Sequence, residues 1–150
     1  MREGQFVVHY QAKAFSRGNA FEVSGVEALV RWNHPRLGLL HPAGFLKAVA
    51  DSGQMVQLTD YVIAESIRQA GVWRQQGLRL QLGLNISSDL VTDLELPRRL
   101  ALVLDEHGVS PGDVVIDVLE QTGPETADLV RDVFTQLRLL GVGLCLDNFG

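Results

Sequence analysis

A chain of 150 residues, 46% of them hydrophobic, is long enough to bury the core of one globular domain. Its net charge of −5, with no run of Lys or Arg, argues against a nucleic-acid polymer as partner. That charge still admits a phosphate-bearing ligand where metals neutralise the acids locally. A single cysteine excludes an internal disulfide, and no secretion signal, bilayer-length apolar run or low-complexity linker is visible, so a reducing cytoplasm is expected.

Phe6 to Phe15, with Val7, Val8 and Tyr10, reads as a strand, followed by a turn at Ser16-Arg17-Gly18-Asn19. Phe21 to Trp32 is the expected second strand of an antiparallel hairpin. Within it Glu27 and Arg31 sit four apart, so a period of two puts both on one face with Leu29 between them. A sheet face carrying an acid and a base is either solvent or a site, and a buried Glu27 would need a cation or several donors to remain ionised. His34 to Gly38 is a loop. Pro42 sits at a helix start, with Phe45, Leu46 and Val49 as an apolar stripe up to Ser52-Gly53. Leu58, Val62, Ile63, Ile67, Ala70 and Trp73 predict a longer helix ended by Gly77.

Leu78 to Asn85 alternates along its length. Leu78, Leu80, Leu82 and Leu84 point one way, and Arg79, Gln81, Gly83 and Asn85 the other. An antiparallel two-layer fold gives this pattern, and so does a barrel whose leucines meet outer helices while the polar face looks inward. Ser87 to Thr92 is loop or a short helical turn. Pro97 to Glu106 is helical with Gly108 past its end, and Val114 to Glu120 is the next strand. A helix from about Glu125 to Leu140, with Gly141 as terminator, precedes a last strand from Val142 to Asp147. The alternation of helix and strand after the hairpin places the chain in the α/β class, with parallel strands and helical crossovers. Five strands suit an open doubly wound sheet or the first part of a (β/α)8 barrel, which typically takes about 250 residues. The last strand has no covering helix after it, which favours the incomplete, TIM-like barrel, about five of its eight strands present.

Several strands carry a polar group able to take a metal: Glu27 in the second, Asn85 ending the third, Asp117 in the fourth, and Asp147 ending the fifth with Asn148 next to it. In parallel α/β folds ligands collect at the carboxyl ends of the strands. Oxygen donors without a His or Cys cluster point to hard cations such as Mg²⁺ or Mn²⁺ rather than Zn²⁺. Two such ions about 3.5–4 Å apart can activate a water and stabilise the departing oxygen in phosphodiester cleavage. The plainer reading makes Glu27 and Asp117 ion-pair partners of interior arginines, with Asn85 and Asp147 capping the helices that follow.

The stretch Glu27-Ala28-Leu29-Val30-Arg31-Trp32 resembles the signature of the EAL-domain phosphodiesterases, which act on the bacterial messenger cyclic di-GMP. The chain also has Tyr10-Gln11 where that family has Tyr-Gln-Pro, Pro42 with Phe45-Leu46 for Pro-x-x-Phe-Ile, and Trp73 with Gly77 for Trp-x-x-x-Gly. Asn85-Ile86-Ser87 matches Asn-Val-Ser, Asp117-Val118-Leu119-Glu120 matches Glu-x-Thr-Glu, and Asp147-Asn148-Phe149-Gly150 matches Asp-Asp-Phe-Gly, all in the family's order. The resemblance implies a (β/α)8 barrel whose first strand runs antiparallel to the others, in a bacterial cytoplasm. It implies metals held by Glu27, Asn85, Asp117 and Asp147, with Asn148 at the place of a further metal-binding Asp and Glu27 and Asp147 as catalytic carboxylates. Gln11, Leu29, Arg31 and Pro42 would meet the dinucleotide, and Glu120 would steady the loop that begins at Asp147. The implied reaction opens cyclic di-GMP to linear pGpG with Mg²⁺ or Mn²⁺. An EAL homodimer and a fused sensor or GGDEF domain outside this chain are compatible with it.

The departures from that pattern point to weaker chemistry. Asn148 offers a carbonyl oxygen but no charge, so a second ion would be held less tightly. Asp117 is one methylene shorter than the family's Glu, Leu119 removes a hydroxyl, and Ala12 replaces a Pro. The family's later Lys and Glu strands are not within residues 1–150, so the domain is expected to be truncated after Asp-Asn-Phe-Gly and the chain alone inactive. The alternative is a catalytically impaired module that binds cyclic di-GMP or a partner protein. His9, His34, His41 and His107 are scattered and expected to be structural or on the surface, Cys145 an interior filler, and Trp73 a packing residue.

Overall fold

A computed structural model describes residues 4–118 and 124–146. The hairpin is longer than its sequence suggests: β1 (Phe6–Arg17) and β2 (Ala20–His34) meet at a tight turn, because Gly18 takes positive φ and reverses the chain in two residues. A short β3 (Gly38–Leu40), which starts at the last residue of the expected His34–Gly38 loop, folds back on the end of β2. Pro42–Gly44 forms one 3-10 turn before α1 (Leu46–Asp51), and α2 (Met55–Gln75) follows. Then come β4 (Gln81–Ile86), α3 (Leu96–His107), β5 (Val114–Val118), α4 (Ala127–Leu140) and β6 (Gly143–Leu146).

The strand order is β1-β2-β4-β5-β6, with β3 beside β2. β1 is antiparallel to β2, whereas β2, β4, β5 and β6 run parallel. This is the arc of a (β/α)8 barrel with a reversed first strand. Each crossover helix ends as its sequence dictates. Gly77, Gly108 and Gly141 follow α2, α3 and α4 with positive φ, and the next amide bonds back into the last turn (Leu78 to Trp73, Val109 to Leu104, Val142 to Leu137).

The helices cover one face of the sheet. Val26, Ala28, Leu82, Leu84, Ile86, Val114, Ile116 and Val118 point into that layer and meet Ile67 of α2, Leu100 and Leu104 of α3, and Val133 and Leu137 of α4. A second cluster joins Phe6, Phe45, Val49 and Leu58, with Trp32 stacked on Phe6 at 5.4 Å between ring centres. Trp73 packs edge-on against Tyr10, as a core residue would.

Two expectations need correction. The leucine alternation runs past the strand: Leu78 is half exposed and β4 begins only at Gln81. Residues 78–80 form the climb from α2, and Arg79 leaves the pattern to bind the Asp113 carboxylate at 3.2 Å. Cys145 is exposed rather than interior, because it stands beside Asp117 on the sheet face turned away from the helices.

Tyr10 supplies a pH dependence. Burial, helped by the Glu65 carboxylate, pushes its phenol up to about 12. The unfolded chain sheds this proton near pH 10, while the folded chain keeps it until about 12. The contribution is therefore complete below pH 10 and is lost as pH rises through that window. Urea-unfolding midpoints should fall more steeply between those pH values in the wild type than in Tyr10→Phe, and parallel curves would contradict this.

Candidate functional site

The positions that alternate with the buried apolar ones carry the polar side chains. On that face Gln11 of β1 stands opposite Glu27 of β2, and Glu27 stands beside Gly83 of β4. One row nearer the carboxyl ends, Asn85 of β4 stands beside Asp117 of β5. Parallel pairing of β2 with β4 thus joins residues from distant parts of the chain. The Asn85 amide Nδ2 donates to Glu27 Oε1 at 2.8 Å, and both side chains are part-buried. Asp117 Oδ2 lies over Gly83, 3.8 Å from the point where a Cβ on that glycine would stand.

This geometry suits a hard cation. Asn85 spends an N–H on Glu27, so its carbonyl oxygen and the second Glu27 oxygen take no part in that bond, and Asp117 stands beside Asn85 in register. Among the described residues no group of three or more His, Cys, Asp or Glu converges, and Glu27, Asn85 and Asp117 lie in adjoining rows of this face. Asp147, Asn148 and Glu120 lie outside the described residues.

Arg31 shares the face of Glu27 but bends back, its Nη1 donating to the Val30 carbonyl at 2.9 Å. Among the described residues no acceptor side chain holds its other N–H donors, which suits an incoming anion. Leu29 and Pro42 line an apolar cavity of about 160 Å³ between the sheet and α1 and α2, together with Leu58, Val62, Asn85 and Ser87. The Ser87 hydroxyl is buried there and has no hydrogen-bond partner among the described residues. His34 is structural: its Nδ1 accepts the backbone N–H groups of Arg36 and Leu37, each at 3.1 Å.

One residue near the site was not singled out by the sequence. The Lys13 ammonium reaches across β2 to Gly83, 3.2 Å from the same hypothetical Cβ position. The available signal was its place two residues after Gln11, on the same face, opposite a glycine.

Comparison with known proteins places this geometry in context. The family model described as EAL domain matches residues 1–150. The chain is 35% identical to the cyclic di-GMP phosphodiesterase PdeR of Escherichia coli K12 over 150 residues, all of this chain but 22% of that protein. It is 33% identical to the bifunctional diguanylate cyclase/cyclic di-GMP phosphodiesterase MucR of Pseudomonas aeruginosa over 147 residues, covering 97% of this chain and 21% of the relative. The chain thus spans about a fifth of the length of these curated relatives. A solved structure described as the PaMucR phosphodiesterase in complex with c-di-GMP superposes with a TM-score of 0.85 at 33% identity, over 97% of this chain and 59% of that one. Whole-length family match, relatives above 30% identity and a shared barrel arc agree: the chain belongs to the EAL domain family.

Proposed function

We propose that this chain is the N-terminal, metal-holding part of a cyclic di-GMP phosphodiesterase domain, working in a bacterial cytoplasm. The observation that carries the reading is the placement of Glu27, Asn85 and Asp117 on one face of the parallel sheet, with Glu27 and Asn85 joined by a hydrogen bond. The reading gains support from the relatives named for that activity and from the solved neighbour described with c-di-GMP.

In this reading Glu27, Asn85 and Asp117, with Asp147, would hold Mg²⁺ or Mn²⁺, and Asn148 would contribute a weaker oxygen. The bound ions would supply activation of water and stabilisation of the leaving alkoxide. The chain's own residues do the rest. Asn85 fixes the rotamer of Glu27 by its hydrogen bond, and the second carboxylate oxygen stays outside that bond. Arg31 and Gln11, on the same face as Glu27, would meet the phosphate charge, with Leu29 and Pro42 as apolar neighbours of the dinucleotide. No helix among the described residues is long and apolar enough to cross a membrane.

Calorimetric titration of the chain with cyclic di-GMP tests the proposal. Binding that requires Mg²⁺ or Mn²⁺ is expected, without production of pGpG by residues 1–150 alone. Absence of binding with and without divalent ions would overturn the reading, and measured turnover would overturn its restriction to a part of the site.

A further inference from the structure

The Lys13 ammonium occupies a place that the metal reading leaves unexplained. Lys13 starts on β1 opposite Gly25, yet its Nζ ends over Gly83 of β4, having crossed the whole width of β2. The crossing is open because the positions involved on β2 and β4, Gly25 and Gly83, carry no side chains on this face. The ammonium and the Asp117 carboxylate both lie within 4 Å of the point a Gly83 Cβ would take, and Glu27 stands next to Gly83 in register. Among the described residues Lys13 makes no ion pair at contact distance, so its ammonium is not held to the acids by a fixed bridge. A lysine suits that arrangement, being a point charge on a flexible stem that can retreat when a stronger cation enters.

Resting on the reading of Glu27, Asn85 and Asp117 as a divalent-cation site, we propose that Lys13 is a positioning residue that serves as the site's resident cation. Its charge keeps Glu27 and Asp117 compatible at close quarters before an ion arrives, and it opposes the ion once bound. Divalent binding is then weaker than the oxygen set alone would give. The released ammonium becomes available to the phosphates of an anionic ligand.

Mn²⁺ affinity measured by electron paramagnetic resonance tests this, because it reads the site without any turnover. Lys13→Met should bind Mn²⁺ about tenfold more tightly than the wild type, a gap that shrinks as salt is raised. Lys13→Arg, which keeps the charge, should resemble the wild type. Gly83→Ala should shift affinity in the same direction as Lys13→Met but by less, since its new Cβ displaces only the end of a flexible side chain. Equal affinity in Lys13→Met and the wild type would overturn the inference while leaving the metal reading intact. No Mn²⁺ binding in either protein would overturn both.

Discussion

Glu27→Gln should weaken Mn²⁺ binding by more than about a hundredfold while leaving the fold unchanged. The substitution is nearly isosteric, and a rotated Asn85 amide can still pair with the new one, so the cross-strand link between β2 and β4 survives. What disappears is a full negative charge in a site whose described donors number two carboxylates and one amide. A hard divalent ion is held by ligand charge as much as by ligand count, so removing a ligand's charge should cost more than disturbing an outer partner. Circular dichroism and the urea midpoint should match the wild type, which separates loss of the site from loss of the fold. Wild-type affinity in Glu27→Gln would remove the basis for assigning metal ligation to this face.

How far the sequence reveals this site depends on the kind of contact involved. The shared face of Glu27 and Arg31 follows from a period of two inside one strand, and the ends of α2, α3 and α4 follow from the glycines at 77, 108 and 141. These are local rules. The Glu27–Asn85 hydrogen bond spans 58 positions and needs β2 and β4 to pair in parallel with Glu27 beside Gly83, a register that motif order suggests but local pattern does not contain. Lys13 was hidden for the same reason. On its own strand it is one more polar residue at the open face, and its importance appears only when β4 lies beyond β2 with a glycine at the landing point. The misreading of Leu78 has the opposite origin. Its alternation with Leu80 and Leu82 is a real local signal, overruled because the chain must climb from the end of α2 and because Arg79 gains the Asp113 carboxylate on the way.

Gly25→Ala should destabilise the chain by about 3 kcal/mol and at the same time abolish the Mn²⁺ site. Gly25 has no unusual backbone angle, so the cost is steric: a Cβ there would overlap the backbone oxygen of Gln81, its register partner at the start of β4. A backbone oxygen in a paired strand cannot rotate away as a side-chain end can, so the two strands must part. In the order β1-β2-β4-β5-β6 the β2–β4 seam is where the hairpin joins the parallel sheet, and separation at Gly25 propagates to Glu27 only two residues on. The Glu27–Asn85 distance of 2.8 Å leaves little slack for such a shift. Gly143→Ala is the control on the far side of the sheet. Its Cβ would meet the Val115 Cγ2 methyl at 3.1 Å, a contact a small side-chain movement relieves, so a loss of about 1 kcal/mol or less is expected, with Mn²⁺ affinity retained. Urea unfolding of both variants, read alongside their Mn²⁺ titrations, decides the matter. If Gly25→Ala unfolds at the wild-type midpoint, the seam is looser than this register implies, and the close pairing that brings Glu27 to Asn85 cannot be what builds the site.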